Sequence, residues 1–250
     1  MRWQKPERRT STACGGWLCA WLCWLTFTGL TVSPVRAEGV PERLVPYVAT
    51  YEARRSGLFL LKVRVTRQLI RLEDGRWHLT QTAEGWLYAR REESVLTWEG
   101  VYPKPLRYTY VRRWLWQTRR VDLIFDRRAH RLVISVNGER WTQPLGQGDL
   151  DTLSCQLYLR VQLLEGRVPK GCRMSDGGRL KWTPARLAGE DHILWRGRRY
   201  AVQEVRLGGA SGIGMQVWLA PALAHLPLRA QYRTPEGDEF VMTLNDLELQ

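Results

Sequence analysis

From Tyr47 onward, the sequence consists of short runs in which aromatic and β-branched residues alternate with polar ones, and turn residues end each run. Asp-Gly at 74–75 and Asn-Gly at 137–138 are strong signals for tight β-hairpins, and segments 195–198 and 234–238 indicate further reversals. Hairpins join strands that are neighbours in an antiparallel sheet. The sequence therefore predicts a mainly β fold, in which a curved antiparallel β-sheet forms a half-barrel-like meander.

Residues 149–165 interrupt this alternation with a helical pattern. Their apolar side chains recur at spacings of three and four, which places them on one helical face: Leu150, Leu153, Leu157, Val161 and Leu164. Asp149 or Asp151 can cap the start of the helix, and Gly166 suits the position just after its end. We expect one α-helix near residues 150–165 that covers the apolar face of the curved sheet.

The first 37 residues have the three-part layout of a secretory signal peptide. Four basic residues lie within the first nine positions, an uncharged stretch follows over 13–32, and small residues precede a cleavage point after Ala37. A stretch of about twenty uncharged residues is also long enough to span a bilayer, so an uncleaved anchor helix is the alternative. We predict a signal peptide over 1–37, a short linker over 38–45 and a single β-rich periplasmic domain over 46–250.

The net charge of +13 and the 13 tryptophans invite a nucleic-acid or membrane interpretation. The leader accounts for part of both, because the chain without residues 1–37 has a charge of +9 and nine tryptophans. The basic residues are spread along the chain without a recognised nucleic-acid motif, and export would separate the protein from nucleic acid. We therefore expect no nucleic-acid partner. The remaining excess of tryptophan and arginine is concentrated around residues 107–120.

Two of the five cysteines lie outside the leader, at Cys155 and Cys172, 17 positions apart. In an exported chain such a pair is a candidate disulfide, because an oxidising compartment allows the bond to persist. The alternative is two unrelated thiols, one of them buried as a small hydrophobic side chain. The choice depends on the distance between the two Cα atoms, which the sequence does not determine.

The order of five motifs along the chain resembles that of a known family. The motifs read PYVATYEARRSGL at 46–58, PLRYTY at 105–110, RVDLIFD at 120–126, DTLSCQL at 151–157, and VWLAP followed by LPLR at 217–229. Over residues 45–249 the chain resembles the bacterial exported family known as domain of unknown function 3108 (DUF3108). The resemblance implies a periplasmic, β-rich domain without catalytic function, and it assigns no substrate. It also suggests, by analogy of fold alone, a shape similar to the half-barrel lipoprotein carriers of the Gram-negative envelope.

No arrangement of residues in the sequence indicates catalysis. The four histidines lack the spacing of a metal site: His78, His130, His192 and His225. The glycine-rich stretch 208–214 lacks the residues of a phosphate loop or a nucleophile elbow, and the adjacent Glu92 and Glu93 point to opposite faces of a predicted strand. We therefore predict a non-enzyme without a catalytic residue, metal or cofactor. The alternative is an envelope enzyme acting on glycan or lipid, in which folding brings His78, His192 or Glu93 together.

The most informative local feature is the segment 112–120, in which four arginines flank Trp-Leu-Trp. This segment lies between two strand-like runs and therefore forms the tip of a hairpin. Indole rings and arginines suit the headgroup level of an anionic membrane or another polyanion, and they equally suit docking of an envelope protein. The alternative is a solvated strand pair whose tryptophans cover the open end of the core, with the arginine stems lying over them.

These observations predict an exported protein that binds without catalysis or maintains the cell envelope. An aromatic-lined concave sheet face would receive an apolar ligand or a partner segment, and the hairpin would contact an anionic lipid or an envelope protein. Burial of the same aromatic rings would equally stabilise a closed core, which is the main alternative. The candidate ligand- or partner-binding residues are Trp86, Trp98, Tyr108, Tyr110, Arg112, Trp114, Trp116 and Arg119.

Overall fold

A computed structural model of the chain describes residues 44–56, 62–208, 214–233 and 239–250. Within these ranges the chain forms fifteen β-strands, one α-helix and one short 3-10 turn. The signal peptide predicted over 1–37 lies outside the described residues, as does most of the linker predicted over 38–45.

The strands fall into two groups separated by the helix. The first eight strands are β1 (Tyr47–Ser56), β2 (Lys62–Arg71), β3 (Trp77–Gly85), β4 (Tyr88–Glu99), β5 (Tyr102–Trp114), β6 (Gln117–Asp126), β7 (Arg131–Val136) and β8 (Glu139–Pro144). The short strand β9 (Asp149–Asp151) leads into helix α1 (Thr152–Leu164). The remaining strands are β10 (Gly171–Ser175), β11 (Lys181–Trp195), β12 (Arg198–Leu207), β13 (Gly214–Ala220), β14 (Leu226–Arg233) and β15 (Glu239–Leu249), with the 3-10 turn Pro221–Leu223 before β14.

All fifteen strands belong to one sheet, and most neighbours in the sheet are also neighbours in the chain. From one edge to the other the order is β8-β7-β6-β5-β4-β3-β2-β1-β15-β14-β13-β12-β11-β10-β9. Neighbouring strands are antiparallel except β9 and β10, which run parallel. The sheet is open and curled and does not close into a barrel. The prediction of a mainly β, curved antiparallel sheet with one α-helix is confirmed.

Tight turns at the predicted positions produce this order. Asn137 and Gly138 have φ angles of 50° and 95°, and Arg196 and Gly197 have φ angles of 49° and 75°. Two successive residues with positive φ match the right-handed twist of the flanking strands, which is why such turns favour hairpins. The reversal predicted at 234–238 lies outside the described residues.

Asp151 is the residue that caps the helix. Its Oδ1 accepts hydrogen bonds from the backbone N–H groups of Leu153 and Ser154, both at 2.9 Å, and the Ser154 hydroxyl accepts one from the Asp151 N–H at 2.9 Å. These bonds satisfy backbone donors that have no partner within the helix. After the helix, Gly166 takes a φ of 69° and its N–H donates to the Leu163 carbonyl, in agreement with the predicted end.

Helix α1 is buried on more than the one face that its apolar spacing predicts. Leu153 and Leu157 pack into a large core cluster with strands β1 to β7, whereas Leu159 and Leu163 pack into a second cluster with strands β11 to β14. Arg160 is also buried. The helix thus lies inside the curl of the sheet, because both halves of the sheet bend round it.

A disulfide joins the helix to the second half of the sheet. Cys155 on α1 and Cys172 on β10 are bonded, with their Cα atoms 6.0 Å apart. Both residues are buried in the second core cluster. The cross-link therefore holds α1 against the strand that follows it in the chain.

The two ends of the sheet come close together without strand pairing. On the edge strand β8, the Gln143 side chain donates to the Gly178 carbonyl at 3.0 Å and accepts from the Leu180 N–H at 3.1 Å. Gly177 lies so close to Val121 on β6 that a Cβ atom at Gly177 would be 2.7 Å from the valine Cγ1. Side-chain contacts therefore close the curl where backbone hydrogen bonds do not.

Candidate docking surface at the hairpin tips

Two neighbouring hairpins end side by side. Trp86 and Leu87 connect β3 to β4, and Leu115 and Trp116 connect β5 to β6. Strand pairing sets Tyr88 opposite Trp114, so the two turns share one end of the sheet, and the Leu115 N–H donates to the Leu87 carbonyl at 3.1 Å. Leu115 has a φ of 53°, a backbone conformation that bulky side chains rarely adopt. The fold therefore holds these turns in a defined arrangement.

Large apolar side chains are exposed on both turns, and we call them the tip patch: Trp86, Leu87, Trp114, Leu115 and Trp116. Trp86 is 91% exposed and Trp116 is 85% exposed, so neither indole covers the core. Trp114 is partly sheltered by Tyr88, whose ring it meets edge to face with centroids 5.8 Å apart. A cluster of exposed apolar groups of this kind is typical of a surface that contacts a partner or a membrane.

A row of arginines lies directly behind the tip patch. Cross-strand pairing sets Arg90 on β4 opposite Arg112 on β5, and Arg112 opposite Arg119 on β6. Arg90 forms an ion pair with Glu92, but Arg112 and Arg119 form no ion pair with any carboxylate of the described residues. Like charges directly opposite each other destabilise a sheet. The arrangement is therefore costly for folding and suited to an anionic partner.

The structure divides the predicted binding residues between two places. Arg112, Trp114, Trp116 and Arg119 lie at or next to the tip of the hairpin predicted at 112–120. Trp86, which was predicted on the concave face of the sheet, lies on the neighbouring turn between β3 and β4. The remaining three lie further down the sheet against the main core cluster: Trp98, Tyr108 and Tyr110.

The three inner aromatic residues are less exposed than the tip patch. Tyr108 is only 2% exposed, and its hydroxyl donates to Glu92 Oε2 at 3.1 Å. Trp98 and Tyr110 are half-buried, and the Arg90 guanidinium lies 5.6 Å from the centre of the Tyr110 ring. Residues of helix α1 pack into the same core cluster as these aromatic side chains, and the role of the three residues in ligand binding stays a prediction.

Leu87 and Arg90 belong to this surface but are not among the residues predicted from the sequence. A signal existed in the run Gly-Trp-Leu at 85–87, which places two large apolar residues in a turn between two strand-like runs. Turns are normally polar. The pairing of this turn with the Trp-Leu-Trp turn could not be predicted, because it depends on strand register.

The residues of the enzyme alternative come together only in part. His78 Nε2 lies 3.4 Å from Glu93 Oε2, whereas His192 lies on β11 in the other half of the sheet. Partial burial acts to raise the pKa of Glu93, but the hydrogen bond from Arg91 and the neighbouring charges of Arg91 and His78 lower it overall. A carboxyl group with a lowered pKa is a poor proton donor at neutral pH.

The other glutamate of the predicted pair lies on the opposite face. Glu92 is 1% exposed and faces the interior, where it contacts Tyr108 and Arg90. Glu93 is half-buried on the other side of β4. The two carboxylates therefore cannot share a proton, as strand alternation predicts.

Neither a metal site nor a membrane-spanning helix is found among the described residues. Within these ranges, no group of three or more His, Cys, Asp or Glu side chains is placed to hold a metal ion. No helix among the described residues is both long and apolar enough to cross a membrane.

The fold and the tips define the class of protein. It consists of a curled antiparallel β-sheet around one helix, and one end of the sheet exposes apolar and basic side chains. The chain belongs to the family described as Protein of unknown function (DUF3108), whose model matches residues 47–245. The family predicted from the motif order is thereby confirmed. No curated protein matches the sequence.

The chain is similar to several solved structures at low sequence identity. A β-barrel-like protein of the domain of unknown function DUF1849 from Brucella abortus has a TM-score of 0.57 and 10% identity, over 83% of this chain and 99% of that one. MucB of Pseudomonas aeruginosa, in its complex with MucA, has a TM-score of 0.31 and 15% sequence identity, over 84% of this chain and 53% of that one. A putative outer membrane lipoprotein-sorting protein domain from Vibrio parahaemolyticus has a TM-score of 0.24 and 9% sequence identity, over 82% of this chain and 86% of that one. Only the first score is high enough to support a common fold.

Proposed function

We propose that this protein is a non-catalytic binding protein of the bacterial cell envelope that docks on an anionic membrane surface through the tip patch and the arginine row. The observation that carries the proposal is the exposure of Trp86 and Trp116 on adjacent turns, directly in front of Arg112 and Arg119, which lack ion-pair partners among the described residues. The predicted signal peptide over 1–37 supports a location outside the cytoplasm.

The chemistry of the tips fits a lipid headgroup layer. Tryptophan prefers the membrane interface, where its ring is half in hydrocarbon and its N–H remains among polar groups. Each arginine near an anionic surface contributes about 1 kcal/mol, and burial of a large apolar side chain contributes on the order of 1.5–3 kcal/mol. A few such groups suffice for binding in the micromolar range.

Vesicle co-sedimentation tests this proposal. The chain, expressed with its own leader and purified, is mixed with vesicles of phosphatidylethanolamine and phosphatidylglycerol, and separately with vesicles of phosphatidylcholine. We expect binding to the anionic vesicles that weakens as salt is added, because salt screens surface charges. The double variant Trp86→Ser/Trp116→Ser should lose most of this binding.

Two matched controls separate the tips from general surface properties. Trp182 on β11 is 59% exposed and lies far from the tips in sheet order, so Trp182→Ser should bind as the unaltered chain does. Arg112→Gln/Arg119→Gln should weaken binding, whereas Arg186→Gln/Arg199→Gln, with the same loss of charge, should not. Equal binding by all variants, or no binding to anionic vesicles, would overturn the proposal.

A further inference from the structure

Two arginines are buried in the interior without a carboxylate partner. Arg67 on β2 is 7% exposed and Arg160 on α1 is 5% exposed, and neither forms an ion pair with a carboxylate of the described residues. Buried cations in proteins are normally paired, because removing a charge from water is costly. Two of them close together therefore need an explanation.

Neutral groups hold Arg67 in place. Its Nε donates to the Tyr47 hydroxyl at 3.0 Å, and its Nη1 donates to the side-chain oxygens of Gln81 at 3.1 Å and Gln156 at 2.6 Å. Gln156 lies one helical turn before Arg160, so the two side chains lie on the same face of α1. These bonds orient the guanidinium and leave its positive charge uncompensated.

Arg160 has unused donors. Its Nε donates to the Ala224 carbonyl at 2.9 Å, and its guanidinium lies 4.9 Å from the centre of the Tyr47 ring. Its Nη1 and Nη2 are buried and have no hydrogen-bond partner among the described residues. Burial lowers the pKa of Arg160, nearby Tyr47 and Tyr51 oppose this shift, and the positive charge of Arg67 adds to it.

Two more buried polar atoms without hydrogen-bond partners belong to residues near Arg160. Within the described ranges, the Tyr51 hydroxyl and His225 Nδ1 are buried and form no hydrogen bond. Burial is the main cause that raises the pKa of Tyr51, so its hydroxyl stays protonated and can donate. Arg160 is close enough to both residues to affect their titration.

The loop that carries His225 has an unusual backbone. Ala224 and His225 have φ angles of 51° and 54°, in the left-handed region that residues other than glycine rarely adopt. The Ala224 carbonyl accepts from Arg160, and the His225 N–H donates to the Ala220 carbonyl at 2.9 Å. Such backbone strain is often retained at sites that bind a ligand.

We propose that Arg67 and Arg160 form an interior site for a phosphate group, either free phosphate or the phosphate of a small amphiphile. The Arg160 Nη1 and Nη2 groups form a fork that matches two oxygens of an oxyanion, and the Tyr51 hydroxyl supplies a further donor. A phosphate monoester carries about 1.5 to 2 negative charges at neutral pH and so compensates both arginines, whereas a carboxylate would leave a net buried charge. This site is inside the fold and does not depend on the tip patch.

Isothermal titration calorimetry of the full chain in phosphate-free buffer tests the site. The two probes are inorganic phosphate and dihexanoyl phosphatidic acid, and dihexanoylglycerol, which lacks the phosphate, is the control ligand. We expect one or both phosphate probes to bind and the control ligand not to bind. Binding of inorganic phosphate assigns a free-phosphate site, whereas binding of the lipid alone assigns a headgroup site. The absence of binding by both probes would overturn the proposal.

Variants assign the binding to these residues. Arg160→Met should weaken the affinity at least about tenfold, whereas Arg64→Met, which changes an exposed arginine on the other face of β2, should leave it unchanged. Tyr51→Phe removes only a hydroxyl without a partner, so it should fold normally and weaken the affinity several-fold. Unchanged affinity in Tyr51→Phe and Arg160→Met would overturn the assignment.

A stability measurement separates a binding role from a structural one. In phosphate-free buffer, Arg160→Met should unfold at the same temperature as the unaltered chain or a higher one, because it removes a buried charge without a counter-ion. Added phosphate probe should raise the unfolding temperature of the unaltered chain and not that of the variant. A large loss of stability in the variant without phosphate would show that Arg160 is structural and contradict the proposal.

Discussion

Two arginines occupy inward-facing positions that otherwise carry apolar side chains, and they place positive charge in the interior. Val63, Val65 and Leu69 face the core from β2, and Arg67 occupies the same phase of the strand. In α1, Arg160 lies three residues after Leu157, on the face that the apolar residues define. Both arginines thus interrupt an apolar pattern, and this signal is present in the sequence. The pattern does not show whether such a side chain is paired, so it does not by itself predict a site.

The stability of the fold should depend on pH through one residue, His225. Burial is the main cause that lowers the pKa of His225, and the nearby charge of Arg160 lowers it further. In the unfolded chain this histidine has its ordinary pKa of about 6.5, so it is protonated at a higher pH than in the folded chain. The free energy of unfolding therefore falls as the pH falls below about 6.5.

Urea unfolding at pH 7.5 and 5.5 measures this effect. We expect the midpoint of the unaltered chain to fall on acidification, and that of His225→Gln to fall less. His192 is exposed on β11, so His192→Gln should behave as the unaltered chain does. The same pH dependence in all three proteins would contradict the assignment to His225.

At the scale of elements, the alternation of side chains along a strand predicts which of them face the core only as far as the first shift in register. Pro103 and Pro105 are buried on β5, but Leu106 has no cross-strand partner, and Tyr108 is the next buried residue. This β-bulge changes the buried phase from odd to even positions. The alternation that follows carries Tyr108 inward and leads to Trp114 at the tip, so one strand supplies both core and surface aromatics.

The disulfide between α1 and β10 gives a test at the element scale. Reduction, or the variant Cys155→Ala/Cys172→Ala, should lower the free energy of unfolding by about 2–4 kcal/mol, because the cross-link restricts the unfolded chain. Denaturant unfolding with and without reductant measures the difference. The double variant is the control, since reductant should not change its stability. Two free thiols in the purified chain, with the same mobility on reducing and non-reducing gels, would contradict the bond.

At the scale of the whole molecule, contacts between distant strands close the curl of the sheet. Gly177, which follows β10, has a φ of 103° and lies against Val121 on β6. A methyl group there would overlap the valine and force a left-handed backbone on a residue with a side chain. We therefore expect Gly177→Ala to destabilise the protein by about 1–3 kcal/mol.

Thermal unfolding of matched alanine variants checks this prediction. Gly148 lies in the connection between β8 and β9, and a Cβ atom there would meet no atom within 4 Å, so Gly148→Ala should change stability little. An equal unfolding temperature for Gly177→Ala and the unaltered chain would show that the curl does not depend on this contact.

The sequence by itself determined the strands, the single helix, the hairpin turns and the family, because alternation, helical spacing and turn residues act between residues close in the chain. It also located the hairpin of residues 112–120, which carries part of the tip patch. Only the tertiary structure decided that helix α1 occupies the concave face, that a second turn joins the tip, and that Arg67 meets residues of α1. These features bring together residues far apart in sequence, such as Arg67 and Gln156, 89 positions apart, and depend on strand register and sheet curvature rather than on local pattern.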